Sequence, residues 1–276
     1  MTDATPVAWG LYAELRPDEL AALLAATPAA YVPWGALEWH GPHLPLGLDG
    51  LVADHVARQA AALSGGIVLP TTWWAITTLP HAYSISTPPS VISHLWQATF
   101  HSLAGMGVRV IAVVTGHYAQ AHEVLLMEAA DTAMRETGAI VLVAPELAVL
   151  PDASRLDHAA HWETSSLLAV RPDLVRLDRL DDAVPADATD LARFGVLGTD
   201  PRPSATPALG AATLAEAAQT WAAWVRDLLA SGDADRVRGF HAARRAALQP
   251  YDDRYFQGDW EAALHAWWRD RTATRE

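Results

Sequence analysis

Glu38, His40 and Asp49 fall within one short segment, Gly35-Ala36-Leu37-Glu38-Trp39-His40-Gly41-Pro42-His43-Leu44-Pro45-Leu46-Gly47-Leu48-Asp49, directly after an apolar run. Side chains of an extended chain alternate in direction, so Glu38 and His40 share a face across Trp39, and Asp49 can return to that face after a turn. Carboxylate and imidazole together suit divalent Zn, Mn or Fe. A second cluster, Thr115-Gly116-His117-Tyr118, adds another imidazole. A third, Asp157-His158-Ala159-Ala160-His161-Trp162-Glu163-Thr164-Ser165-Ser166, carries a His-bearing loop toward a helix start near Glu163. Alone, Glu163 reads as an ordinary first-turn acid with Thr164 or Ser165 capping the helix. The company of the other two clusters weakens that reading. His43 reads as a group that hydrogen-bonds a ligand rather than as a ligand itself. His55, His94, His101, His122, His241 and His265 fall on helical stretches away from the three clusters, where packing or surface roles suffice.

These groups need a scaffold that brings distant segments to one rim. A helix from Arg16-Pro17-Asp18 stops near Pro28, and Ala29 to Gly35 reads as a buried strand. A helix over 50–63, a strand over 66–70 and a helix over 90–105 follow. The continuous apolar run 108–114 is expected of a parallel strand covered on both faces. A helix over 121–137 and a strand over 139–144 complete a β-α-β-α order, which predicts an α/β fold: a single-domain three-layer α/β/α sandwich with a mainly parallel sheet. Ligands of open α/β sheets bind outside the carboxyl ends of the strands, where the first two clusters fall. Residues 185–207 read as irregular and 213–231 as an amphipathic helix. The chain divides into a main domain, 1–232, and a helical Trp-rich C-terminal extension, 233–276, packing on that domain or on a neighbouring subunit through residues such as Trp260, Trp267 and Trp268.

Composition narrows the functions. The net charge of −13 argues against nucleic acid, whose binding relies on Lys and Arg at phosphates. The absence of Cys leaves only His, Asp and Glu as metal ligands and fits a reducing cytoplasm. No run of apolar residues is long enough to span a membrane, so a soluble, cytoplasmic protein is expected. Twelve Trp suit a large core and subunit interfaces.

Glu38-Trp39-His40-Gly41-Pro42-His43-Leu44-Pro45 with Asp49, Thr115-Gly116-His117, and His158-Ala159-Ala160-His161-Trp162-Glu163-Thr164-Ser165 resemble, in order and spacing, the three signatures of the creatininase (creatinine amidohydrolase) family. The segment from Gly198-Thr199-Asp200-Pro201 to Gly210 is a weaker match, and the resemblance spans about residues 14–230. It implies a metal-dependent hydrolase with two divalent ions, Zn and/or Mn with Fe as a further candidate. Glu38 and His117 would hold one ion, His40 the other, with Asp49 bridging and Glu163 completing the set. His158 takes the place of the catalytic His, and Glu163 could assist as base. The chemistry of the residues agrees: a metal-bound water titrates near about pH 7 and becomes the attacking hydroxide, and a poor amine leaving group needs a general acid.

Departures from the family pattern bear on the substrate. Creatininase has a metal-binding Glu two positions after the His of the second motif, where this chain has Ala119, and Ser154 and Arg155 replace a substrate-contacting Trp and Asp. The stretch Thr77 to Thr87 resembles the family's substrate loop. Tyr118, Thr87, His81 and Trp74 are the expected substrate contacts, forming with Trp73 and Tyr83 an aromatic pocket. The expected reaction is hydrolysis of a C–N bond, in an amide, lactam or formamide, of a small cyclic or aromatic molecule. A relative that trims a peptide precursor, one that opens a carbocyclic or sugar-derived ring, and a noncatalytic metal-binding scaffold are the competing readings. The resemblance also implies a homo-oligomer, hexamers being common in the family.

Overall fold

The computed structural model describes residues 7–152 and 155–255, together with Ala262 and Ala266. Ser154, His265, Trp260, Trp267 and Trp268 lie outside the described residues. Five parallel strands form one sheet in the order β1-β3-β2-β4-β5: β1 (Trp9–Leu11), β2 (Ala29–Trp34), β3 (Gly66–Val68), β4 (Val110–Thr115) and β5 (Ile140–Pro145). Every residue of β2, β4 and β5 is buried, which accounts for their continuous apolar sequences. Pro33 is accommodated in this interior strand because its nitrogen faces the β3 side, where pairing with β3 has ended and its carbonyl takes Thr72 N–H instead.

Helices cover both faces, as expected for the three-layer fold. α2 (Leu48–Ser64) packs on β2 and β4 and against α8 (Pro207–Ser231), which also meets α5 (His161–Val170). On the other side α3 (Pro89–Gly105) packs on α4 (Gln120–Thr137). α1 (Pro17–Ala26) precedes β2, and α9 (Ala234–Tyr255) lies against α4 and the edge strand β5. The irregular segment contains a two-stranded pairing of β6 (Asp187–Ala188) with β7 (Gly198–Thr199) and two short helices, α6 (Leu191–Phe194) and α7 (Pro201–Ser204). α8 begins six residues before its expected start, because Thr206 Oγ1 accepts the Leu209 N–H and Pro207 opens the first turn. No helix among the described residues is long and apolar enough to cross a membrane.

Register sets up the site. Trp34 pairs with Thr115 and Thr115 with Pro145, so β2, β4 and β5 end level and their following loops leave side by side. Two glycines then let these loops touch the first turn of α2. A Cβ on Gly35 would lie 2.2 Å from the Gly50 nitrogen, and one on Gly116 would lie 2.1 Å from the Asp49 carbonyl oxygen. Asp49 is therefore carried not by a turn but by the opening of α2, wedged between the ends of β2 and β4, where the helix dipole favours a carboxylate.

Candidate metal centre

Glu38, His40, Asp49, His117 and Glu163 come together at the carboxyl rim of the sheet, all of them buried. Ligand atoms of Glu38, Asp49 and His117 form one compact group, and those of His40, Asp49 and Glu163 form a second, so Asp49 belongs to both. Glu38, His40 and His158 form a third. His40 Nε2 stands 2.8 Å from Asp49 Oδ1 and 3.6 Å from Glu163 Oε2, while His117 Nδ1 stands 3.0 Å from Glu38 Oε2 and 3.3 Å from Asp49 Oδ2. Donors about 2.0–2.1 Å from a tetrahedral ion lie roughly 3.3 Å apart, in the middle of this range.

The tautomers show why these contacts are not ordinary hydrogen bonds. His40 Nδ1–H donates to the Glu38 carbonyl at 3.0 Å, and His117 Nε2–H donates to the Ile76 carbonyl at 2.9 Å. In its neutral form each ring therefore turns a lone pair toward the carboxylates. His40 Nε2 and both Asp49 carboxylate oxygens are buried without a hydrogen-bond partner. Lone pairs converging at such distances repel unless positive charge stands among them. Protons alone expose the same demand: burial disfavours a cationic His40, yet the Asp49 and Glu163 charges outweigh it and raise His40 to about 10. Burial would likewise raise Asp49, but His40 and His117 hold it below the carboxylate range. Oxygen and imidazole donors around a shared carboxylate fit two hard or borderline divalent cations.

Surrounding groups fix these side chains. Leu79 N–H donates to Glu38 Oε1, and Ala159 N–H donates to Glu163 Oε2 at 2.6 Å. His43 is no part of the converging set: its Nε2 reaches the Ala159 carbonyl at 3.0 Å and Thr164 Oγ1 at 3.3 Å, tying the first cluster to the third. Burial lowers His43 to about 4, which keeps it neutral. Thr77 and Ala159, both beside site residues, hold positive φ of 57° and 52°, local strain of the kind that collects at functional sites.

His158 stacks on His40 with ring centroids 4.3 Å apart. Its Nε2–H donates to the Trp39 carbonyl at 3.0 Å, and its backbone pairs both ways with Leu197, at 3.0 and 2.8 Å, so the irregular segment orients this loop. Burial, with the His40 charge next, lowers His158 to about 4. Asp157, without an expected role of its own, accepts the N–H groups of Trp162 at 2.7 Å and Glu163 at 3.1 Å. It thus caps α5 in place of Thr164 or Ser165, whose hydroxyls are turned to the Ala159 and His161 carbonyls.

A cavity of about 220 Å³ opens above the cluster, lined by Glu38, Asp49, His117, His158 and Glu163 at its polar end. Of the four expected substrate contacts, Tyr118 lines it and Thr87, His81 and Trp74 do not. His81 stacks on Trp39 at 4.7 Å instead, Thr87 N–H bonds to the Ala75 carbonyl, and the Trp74 side chain is 47% exposed. The Tyr118 hydroxyl donates to buried Glu146, whose carboxyl burial raises to about 8. His122, expected away from the clusters, is fully buried with its ring 5.0 Å from that of His117. Glu123, Glu146, Arg244 and Leu248 carried no signal in the sequence, because their partners or the cavity they line are reached only through the tertiary fold.

A parallel α/β sheet with buried imidazoles and carboxylates converging at its carboxyl rim is a scaffold fit to hold divalent metal. The profile described as Creatininase: Creatinine amidohydrolase matches residues 13–225, and the chain belongs to that family of amidohydrolases. It is 26% identical over 253 residues to a creatinine amidohydrolase of Pseudomonas putida, covering 82% of this chain and 95% of that protein. It is 30% identical over 252 residues to a mycofactocin precursor peptide peptidase of Mycolicibacterium smegmatis, covering 82% and 91%. The crystal structure of a creatinine amidohydrolase superimposes with a TM-score of 0.69 at 26% identity, covering 80% of this chain and 97% of the other. Creatininase structures at the same TM-score and identity include a manganese form, covering 79% and 97%, and a zinc–zinc form of a mutant with the same coverage.

Proposed function

We propose that this protein hydrolyses a C–N bond, in an amide, lactam or formamide, of a small cyclic or aromatic molecule, using two divalent ions, Zn and/or Mn with Fe as a further candidate. The observation that carries the reading is the pair of ligand groups sharing Asp49, in which His40 Nε2 and both Asp49 carboxylate oxygens are buried without a hydrogen-bond partner. Glu38 and His117 would hold one ion, His40 and Glu163 the other, with Asp49 between them. Ions held there would lower the pKa of water and polarise the scissile carbonyl.

The remaining steps belong to the protein. His158, oriented by the Trp39 carbonyl and the Leu197 backbone, keeps Nδ1 free to carry a proton to the departing nitrogen. Glu163, held by Ala159 N–H, takes the proton from the attacking water. Leu156, Leu191 and Leu197 screen the reacting atoms from bulk water. Residues 1–232 would form the hydrolase domain and 233–276 an extension packed on it or on a neighbouring subunit, in a cytoplasmic homo-oligomer of the hexameric kind; exposed Val91, Leu95, Trp74 and Ile85 support a subunit contact. Trimming of a peptide precursor is the second reading, favoured by the 30% identical peptide peptidase.

Replacing Glu38 with Gln tests the assignment: turnover of amides and formamides should disappear and metal content fall with the fold intact. Unaltered turnover would defeat it. Product mass separates the two readings, since a peptide precursor yields two peptide fragments and a lactam a single product heavier by one water.

A further inference from the structure

Arg244 comes from α9, beyond the part of the chain that matches the family, yet it lines the cavity over the metal cluster together with Leu248. Apart from imidazoles, it is the one cationic side chain among the residues lining that cavity. Its Nε donates to Glu123 Oε1 at 2.6 Å and its Nη2 to Glu123 Oε2 at 2.7 Å, a two-toothed pair in which Glu123 is 2% and Arg244 14% exposed. That pair uses two of the five guanidinium N–H groups and fixes the plane of the rest, while Nη1 has no hydrogen bond within the protein among the described residues.

The helix that carries Arg244 is itself pinned. His241, fully buried, donates from Nδ1 to Asp131 Oδ1 at 3.1 Å and accepts the Val143 N–H of edge strand β5 at 3.2 Å. Arg245 Nη2 donates to Asp131 Oδ2 at 2.5 Å. These contacts anchor α9 next to Arg244, and with the Glu123 pair they orient the guanidinium before any ligand arrives.

Two other polar groups of the cavity are already engaged. The Tyr118 hydroxyl is spent on Glu146, and Thr77 Oγ1 donates to the Ile76 carbonyl at 2.6 Å. Leu156, Leu191, Leu197 and Leu248 supply apolar surface to the same wall. A ligand that satisfies this surface has an amide at one end, an apolar middle and an anion at the other.

We propose that Arg244 is a substrate-recognition residue and that the amide hydrolysed carries a carboxylate, bound by the free edge of the Arg244 guanidinium. This rests on the hydrolase reading above. Guanidinium and carboxylate match in geometry as well as charge, and a site built to pair a charge rejects the analogue that lacks it.

N-formyl-L-leucine and N-formyl-3-methylbutylamine make the test, since they differ by the carboxylate alone. Water added across the amide of the first gives formate and leucine, and across the second formate and the amine. Binding of each is measured by calorimetry to the metal-loaded full chain in a His158→Gln background, and turnover in the wild-type background. The acid should bind at least tenfold tighter than the neutral analogue, and Arg244→Gln should cancel that preference while leaving the neutral analogue unchanged. If Arg244→Gln melts early because Glu123 is left unpaired, the double variant Arg244→Gln, Glu123→Gln keeps a neutral pair in the same place. Absence of any preference for the acid, including failure of both probes to bind, or a preference that survives both variants, overturns the proposal. Arg244-dependent preference without turnover of either probe upholds carboxylate recognition by Arg244 and removes the hydrolase reading. Equal turnover with equal binding does the reverse.

Discussion

Gly116→Ala isolates the contact that brings two ligand segments together. The added Cβ would sit 2.1 Å from the Asp49 carbonyl oxygen and 2.6 and 2.7 Å from the Asp49 carbonyl carbon and Cα, against 3.4 Å or more in ordinary contact. These are backbone atoms, so relief requires that β4 and the first turn of α2 separate by about 1.3 Å. Overpacking of this kind costs about 1–3 kcal/mol, and each kcal/mol lowers Tm by roughly 2–4 °C in a chain of this size. Metal sites tolerate only about 0.2 Å of ligand displacement, so the function suffers more than the fold: metal affinity should fall by about 10- to 100-fold. Gly105→Ala is the control, since a Cβ there meets nothing within 4 Å. Metal titration with a competing chelator, beside thermal melts of both variants, gives the two magnitudes. Gly116→Ala that binds metal and melts as wild type would refute the claim that this approach positions Asp49.

His43→Ala should weaken metal binding by about 10- to 100-fold without changing the saturating stoichiometry, because His43 holds the Ala159 carbonyl rather than an ion; loss of one equivalent at saturation would make it a ligand. Chelator should lower Tm of the metal-loaded protein by roughly 5–10 °C, since a ligand at about 100 Kd contributes about 2.7 kcal/mol, and Asp49→Ala should erase that difference. Burial would raise the Asp131 carboxyl, but His241 and Arg245 outweigh it and hold it below its ordinary value. A depressed folded pKa gives stability that is present above the unfolded value, about 3.9, and lost as pH falls through the folded value. Asp131→Asn should therefore destabilise at pH 7 in urea titrations, with the difference from wild type shrinking below about pH 4; a pH-independent gap would assign the loss to packing instead.

The three clusters were legible because each encodes its chemistry in local spacing: alternation put Glu38 and His40 on one face, and the apolar runs before Glu38 and His117 marked strand ends. Helix and strand spans followed for the same reason, period and length being local properties. Asp49 was expected after a turn, whereas it rides the first turn of α2, because Gly47 and Leu48 gave no capping signal before the helix start. β1, three residues long, offered too short a pattern to read. What sequence could not supply were encounters across the chain. Arg244 meets Glu123 over a separation of 121 residues, and Glu146 meets Tyr118 over 28. Thr87, His81 and Trp74 carried the chemistry of a pocket, but none of them lines the cavity: His81 stacks on Trp39 and Trp74 is exposed.

Metal analysis of the purified full chain, wild type beside His117→Ala and Asp49→Ala, tests the central claim most directly. Close to two equivalents of divalent metal in the wild type, about one in His117→Ala and almost none in Asp49→Ala, is the expected result, because Asp49 alone belongs to both ligand pairs. Wild-type protein that takes up no metal after incubation with Zn or Mn, or variants that retain both equivalents, would contradict it.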